Sequence, residues 1–375
     1  MFGKKNKLWA AAALAGALAV LPGLASAGDT VKIGLSVPLT GDWAEYGDFI
    51  KKSVEMVVTR ANRMGGIRGK QIEVVVADSR GDPKESVLIA EKFVADPDII
   101  AEIGDFSSSS CMAAAPIYDK ANMSQVSPTA SHPDFTKKGK NMFRVGATQT
   151  AEGPFSSKWA IKDLGAKTVA TIYINNDWGV AANKYFVESA KKMGATVVAE
   201  EAFITGERDF SSILTKIKKV NPDLIYLPTF YADASSIMTQ ARRMHYKTKI
   251  LGTGSLYSPE LIKLGGKSVE GLLSNAVYFP GDPRPAAKEF TRDFRAIYGT
   301  DPSTFAALGY DAANLVIAAL QMAGTEDRAA VRVALESLNG FVGVTGPFDY
   351  SKSHDTAKEF ARIMIKDGKW VPYSK

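Results

Sequence analysis

Strand-like and helix-like segments alternate along this chain, and that alternation limits the possible fold more than any other feature. Val31–Val37 reads as a strand. Ile50, Val54, Val57, Val58 and Ala61 then recur at helical spacing until Gly65-Gly66 stops them. Ile72–Ala77 is a second strand, and Asp82-Pro83 supplies a cap and a first helical residue for a helix reaching Val94. Ile99–Ile103, Met123–Val126 and Met142–Val145 are further strands, with a helix over Ser109–Lys120 between the first two. Such β-α-β-α order implies a parallel sheet covered by helices on both faces. The pattern then restarts. Strands at Thr168–Ile174, Thr196–Phe203, Asp223–Leu227 and Lys249–Leu251 alternate with helices at Val180–Met193, Asp209–Val220 and Asp233–Met244. Two successive units of this kind predict two similar lobes. Helices at Ala286–Tyr298, Phe305–Ala323 and Asp327–Leu338 and a strand-like Phe360–Lys366 follow.

Composition agrees with a globular protein and narrows its partners. The 375 residues are 46% hydrophobic and 23% charged, which excludes disordered and collagen-like chains. A net charge of +6 would suit nucleic acid or an anionic surface. However, Lys4, Lys5 and Lys7 precede an apolar run from Leu8 to Leu21 and the small-residue stretch Ala25-Ser26-Ala27, the order of a signal peptide. The run is too short to cross a bilayer core of about 30 Å. Cleavage after Ala27 would remove 27 residues and three lysines, leaving 348 residues at +3. The lone Cys111 has no disulfide partner, and an exported chain without anchor or disulfide points to a periplasm.

Ligands of open parallel sheets collect at the carboxyl ends of the strands. After Ile103 comes Gly104-Asp105-Phe106 and then Ser107 to Ser110, leading into a helix. One hydroxyl suffices for a cap, whereas four beside free N–H groups suit an anion. Ser127-Pro128-Thr129-Ala130-Ser131-His132-Pro133 follows the next strand, so the two loops are expected to grip one carboxylate together. In the second unit the corresponding loops carry aromatics instead: Trp178, Phe230 with Tyr231, and Tyr257. They could sandwich a planar or apolar group, although each alone is as readily explained by packing. Asp233 reads as the cap of its helix.

Catalytic patterns are missing. There is no G-x-S-x-G, H-E-x-x-H or C-x-x-C, and His132, His245 and His354 are widely separated in sequence. His132 is either a cleft residue or a solvated loop histidine. Gly265-Gly266-Lys267-Ser268 lacks the leading glycine of a phosphate loop, Leu261 standing there. The lysine clusters at 137–140 and 216–219 lack interleaved aromatics, so no nucleic-acid partner is expected. No metal or cofactor is expected either.

Leu39-Thr40-Gly41, Ala44-Glu45-Tyr46-Gly47-Asp48, Gly65-Gly66-Ile67-Arg68-Gly69, Asp78 to Pro83, the serine run, Ser127 to Pro133, Gly206 to Ser211 and Gln240-Ala241-Arg242 occur in this order. In these segments the chain resembles the periplasmic leucine/isoleucine/valine-binding proteins of ABC importers, over nearly its whole length after the leader. The resemblance implies an α/β, type I periplasmic binding protein fold: two Rossmann-like lobes with parallel sheets, joined by a three-crossover hinge. The lobes would comprise 28–148 with 278–356 and 149–277 with 357–375, after a signal peptide at 1–27. It further implies a carboxylate held by Ser108 and Ser131, with a backbone contact at Thr129 and aromatic walls at Tyr46, Trp178 and Phe305. The partners implied are a small-molecule ligand and an ABC permease with its ATPase, the binding protein itself acting as a monomer without catalysis.

Two positions depart from the family pattern. Phe230 stands where amino-acid binders carry Tyr, and Gly254 where they carry an acid. A buried ammonium left without its carboxylate costs about 3–5 kcal/mol. Two ligand classes therefore stay open: a branched-chain or other apolar amino acid, and an apolar or aromatic carboxylate or small amide. A ligand sensor of the same fold is the alternative function, and a serine hydrolase using Ser108 a further one that lacks any visible base.

Overall fold

The computed structural model describes residues 30–374, so the leader and the expected cleavage site at Ala27 lie outside the described residues. The first unit opens with β1 (Thr30–Val37), α1 (Ala44–Arg63), β2 (Gln71–Asp78), α2 (Pro83–Ala95), β3 (Ile99–Gly104), α3 (Ser108–Lys120), β4 (Ser124–Ser127) and β5 (Met142–Arg144). Its five strands are all parallel, in the order β2-β1-β3-β4-β5. The apolar stripe of α1 is buried as its spacing predicts, through Ile50, Val54, Val57, Val58 and Ala61. Asp82 caps α2, its side chain accepting from Lys84 N at 2.7 Å, with Pro83 at the first helical position.

The second unit repeats the arrangement with α4 (Gln149–Lys158), β6 (Thr168–Ile174), α5 (Asp177–Lys192), β7 (Thr196–Phe203), α6 (Ser211–Val220), β8 (Leu224–Leu227), α7 (Tyr231–Arg243), β9 (Lys249–Gly252), α8 (Pro259–Gly265) and β10 (Leu273–Ala276). Strands β7-β6-β8-β9-β10 run parallel in the same relative order as the first sheet. The chain then returns to the first lobe as α9 (Pro285–Tyr298), α10 (Thr304–Ala323), α11 (Arg328–Ser337) and a hairpin of β11 (Asn339–Gly343) and β12 (Gly346–Asp349). It crosses back a last time to β13 (Ala361–Lys366) and β14 (Lys369–Pro372), which extend the second sheet. Three crossovers thus join two doubly wound lobes.

Several expectations need correction. The second sheet is not purely parallel, because β13 pairs antiparallel to β10 and β14 antiparallel to β13. Asp367 and Gly368 turn this hairpin with φ of 52° and 68°. A two-residue turn with positive φ at both positions matches the twist of paired strands, and Asp-Gly is among the pairs that adopt it most easily. The sheet therefore continues through Gly368 into β14, beyond the expected final strand at Phe360–Lys366. The strand β10, the β11–β12 hairpin and the helices α4 and α8 have no counterpart among the sequence expectations. Asp233 is not a helix cap: Phe230 occupies that position, and the Asp233 carboxylate inside the first turn accepts from Thr229 Oγ1 at 3.0 Å.

Helix α10 is apolar around nearly its whole circumference because it is enclosed by α1, α11 and the first sheet. Its approach to α1 depends on Gly309, where an added Cβ would lie 2.9 Å from Ile50 Cα and 3.0 Å from Ile50 O. Gly309→Val should therefore destabilise the fold by about 1–3 kcal/mol through overpacking. Equilibrium denaturation measures this, and an unchanged midpoint would mean that the two helices do not pack at this point.

Candidate functional site

Strand ends from both sheets face one another across a cavity of about 90 Å³, space for several water molecules or one small solute. The ends of β3 and β4 contribute Phe106, Ser108, Thr129 and Ser131 to its wall. From the second lobe come Trp178 beyond β6, Phe230 beyond β8, Gly254 and Ser255 beyond β9, and Asn275 on β10. Phe305 at the start of α10 and Phe360 ahead of β13 close it from the returning segments. Six of the seven expected ligand residues thus meet in one place: Ser108, Thr129, Ser131, Trp178, Phe230 and Phe305.

The two serines have an unusual hydrogen-bond state. Ser107 performs the capping of α3, accepting from Ser110 N at 3.1 Å, which frees Ser108 for another role. Ser108 Oγ accepts from the backbone N–H groups of Ser131 and His132, both at 3.2 Å. Ser131 Oγ accepts from Trp178 Nε1 and Gln149 Nε2, both at 2.9 Å. A hydroxyl has two acceptor lone pairs and one proton. With both lone pairs engaged, each serine has only its O–H left, as a donor toward the cavity it lines. Thr129 differs, since its hydroxyl already donates to Phe106 O at 2.6 Å.

Arg144, fully buried on β5, holds the second loop in shape. It donates to the carbonyls of Ala130 and His132, on either side of Ser131, and its Nε reaches Asp355 at 2.8 Å.

Aromatic side chains form one continuous wall. Trp178 and Phe230 stack directly on each other, centroids 4.7 Å apart at 24°, so no planar group fits between those two. Phe106, absent from the sequence expectations, lies 5.6 Å from Phe230 and 5.9 Å from Phe305. Tyr46 does not line the cavity. It is fully buried behind this wall, stacked on Phe106 at 4.5 Å. Its hydroxyl donates to Ser255 O at 2.7 Å and accepts from Tyr231 N at 3.0 Å. Tyr46 belongs to the first lobe and both partners to the second, so this hydroxyl bridges the lobes. Neighbouring Glu45 does likewise, accepting from Ser258 Oγ and from Glu260 N at 2.9 Å at the start of α8. Arg208 pairs with Asp42 at 2.6 Å across the cleft mouth.

The acid missing at Gly254 is replaced in space by one that sequence reasoning passed over. Glu152 on α4 is buried, and its Oε1 accepts from Gly254 N at 2.7 Å and Asn275 Nδ2 at 2.9 Å. Its Oε2 accepts from Gln149 Nε2 at 3.2 Å. Burial pushes its carboxyl above the ordinary value, while these three donors pull it down. Glu152 lies in the first turn of α4, a helix absent from the sequence expectations, and no local motif marks it. His132 lies outside the cavity, in a shallow groove with Asn175 and Asp177, its Nδ1 accepting from Asp134 N. Tyr257 faces Phe279 and Trp370 on another surface. Among the described residues no group of three acid, histidine or cysteine side chains is arranged to hold a metal ion.

Comparison with known proteins bears on the fold and the family. A Leucine-, isoleucine-, valine-, threonine-, and alanine-binding protein of Pseudomonas aeruginosa is 28% identical over 353 residues, covering 93% of this chain and 92% of that one. A leucine-binding protein from Thermotoga maritima superposes with a TM-score of 0.87 at 28% identity, covering 92% and 98% of the two chains. A branched-chain amino acid transporter substrate-binding protein from Streptococcus pneumoniae, solved with isoleucine, gives 0.86 at 30% identity over 91% and 97%. The family model for periplasmic binding proteins matches residues 30–369, and with the two-lobed type I architecture around a shared cavity this chain belongs to that family.

Proposed function

We propose that this protein captures a small apolar ligand by its carboxylate, closes around it and delivers it to an ABC permease from the periplasm. The observation that carries the reading is the pair of serine hydroxyls whose lone pairs are already filled, leaving two donors and no acceptor for the ligand's head. Such a pair suits an anion and repays the desolvation of a carboxylate, since hydrogen bonds to charged groups are worth about 1.5–3 kcal/mol each. The aromatic wall suits an apolar body, and the ligand class spans branched-chain or other apolar amino acids and apolar or aromatic carboxylates. The family's solute-binding role and the leucine- and isoleucine-binding relatives support transport over catalysis. In this reading residues 28–148 with 278–356 form one lobe and 149–277 with 357–375 the other.

Closure is written in the contacts between lobes. Tyr46, Glu45 and Arg208 join groups that would separate if the cleft opened, so the described state is the closed one. Opening would return Glu45 to water. In the closed state burial, as the largest influence, lifts its carboxyl from 4.5 to about 7, with repulsion from Glu260 and Asp48 acting in the same direction and the bonds from Ser258 and Glu260 N opposing it. A carboxyl that titrates higher in the closed form takes up a proton on closing. Closure is thus opposed progressively as pH rises from about 4.5 to about 7, and the opposition levels off above that, where the carboxyl is ionised in both states.

Two outcomes follow. Ser108→Ala should weaken binding by about 1–3 kcal/mol in calorimetry with leucine, phenylalanine, phenylacetate and benzoate, for whichever of these the protein binds. Unchanged affinity would remove Ser108 from the site. Wild-type affinity should also decline more steeply than that of Glu45→Gln between pH 5.5 and 8, and parallel profiles would dismiss Glu45 as a proton-linked latch.

A further inference from the structure

We propose that Glu152 is the specificity-determining residue of the cavity, accepting the ammonium group of a ligand whose carboxylate sits on Ser108 and Ser131. The inference rests on the carboxylate reading above and narrows its ligand class to apolar α-amino acids. Among the described residues Glu152 is the one ionisable side chain that lines the cavity. It has no cationic partner there. Its three hydrogen-bond partners, Gly254 N, Asn275 Nδ2 and Gln149 Nε2, all donate, as suits an ionised carboxylate. Its place in the first turn of α4 favours the same form. Oε1 has both lone pairs engaged, whereas Oε2 has one engaged and one left for a donor from the ligand.

Spacing fixes what that donor must be attached to. Gln149 Nε2 donates both to Ser131 Oγ and to Glu152 Oε2, so these two oxygens are at most about 6 Å apart. A group with a carboxylate and an ammonium on the same carbon spans that distance with one ordinary hydrogen bond at each end. A ligand with a carboxylate alone would bring a second negative charge beside Glu152, with only the neutral Gln149 amide between them. The position of Gly254 agrees. A Cβ there would start 3.5 Å from Glu152 Oε1 and 3.0 Å from Asn275 Oδ1, so an acid at 254 and the present placement of Glu152 compete for one space. The negative pole of the cavity has been moved from a strand end to α4.

The test is calorimetry at pH 7.5 with leucine and phenylalanine and their deamino counterparts, 4-methylpentanoate and 3-phenylpropanoate, on the wild type and Glu152→Gln. The wild type should bind at least one amino acid about 100-fold more tightly than its deamino counterpart. Glu152→Gln, which preserves shape, should remove most of that ratio by weakening the amino acid and sparing the deamino acid. Equal binding of the paired ligands by the wild type overturns the role of Glu152 and leaves the carboxylate reading intact, and this comparison needs no variant to fold. A ratio unchanged in a folded Glu152→Gln protein overturns it as well. Failure of folded wild type to bind any of the four overturns this inference, and failure to bind phenylacetate and benzoate as well overturns the carboxylate reading with it.

Discussion

The site depends on where four N–H groups point. Two backbone amides fill the lone pairs of Ser108, and an indole and a side-chain amide fill those of Ser131. A serine hydroxyl by itself accepts or donates with equal ease. Here the choice has been removed, and under the proposed function a pair of small neutral side chains acts as an anion receptor without carrying charge. The rest of the first lobe maintains this condition. Ser107 takes over the capping of α3, and buried Arg144 pins the carbonyls on both sides of Ser131. The parallel sheet brings the ends of β3 and β4 side by side, so residues 23 positions apart in sequence act as one unit.

The second lobe completes the receptor, because both N–H groups on Ser131 Oγ come from beyond the first crossover. Trp178 thus has two roles: its ring builds the aromatic wall and its Nε1 prepares the serine. Under the proposed function, closing the cleft and preparing the anion site are therefore one event. The contacts outside the cavity hold that state: the Tyr46 hydroxyl between Ser255 and Tyr231, Glu45 on the start of α8, and Asp42 with Arg208. Near the last crossover, buried Asp311 gathers Val344 N and Thr345 N, and Lys358 donates to Thr345 Oγ1 from 3.5 Å above the Phe348 ring. The last crossover is thus tied to α10 through the β11–β12 turn.

Local physics made part of this readable in the sequence. The stripe on α1 and the Asp82-Pro83 start of α2 are signals complete within a few residues, and both appear in the structure where their spacing places them. The serine run marks the end of α3 that lines the cavity, and four hydroxyls exceed what capping requires. Other features depend on partners far along the chain. Glu152 meets Gly254 and Asn275 more than 100 residues away, and Tyr46 meets Ser255 at a separation of 209. An aromatic at a loop end gives no sign of whether its ring faces a ligand or its hydroxyl faces another lobe. The β13–β14 hairpin is hidden for a different reason: an Asp-Gly pair after a strand-like run is compatible both with the end of the strand and with a turn into another.

The central claim, that Ser108 and Ser131 act as paired donors to a carboxylate within a closed cleft, is tested most directly by a crystal structure of the protein purified with its natural ligand, without refolding. The account predicts a carboxylate whose oxygens lie at about 2.5–3.0 Å from both Ser108 Oγ and Ser131 Oγ, with the Tyr46 bridge intact. A ligand bound elsewhere, or one that presents a hydrogen-bond donor to the two serines, would contradict it.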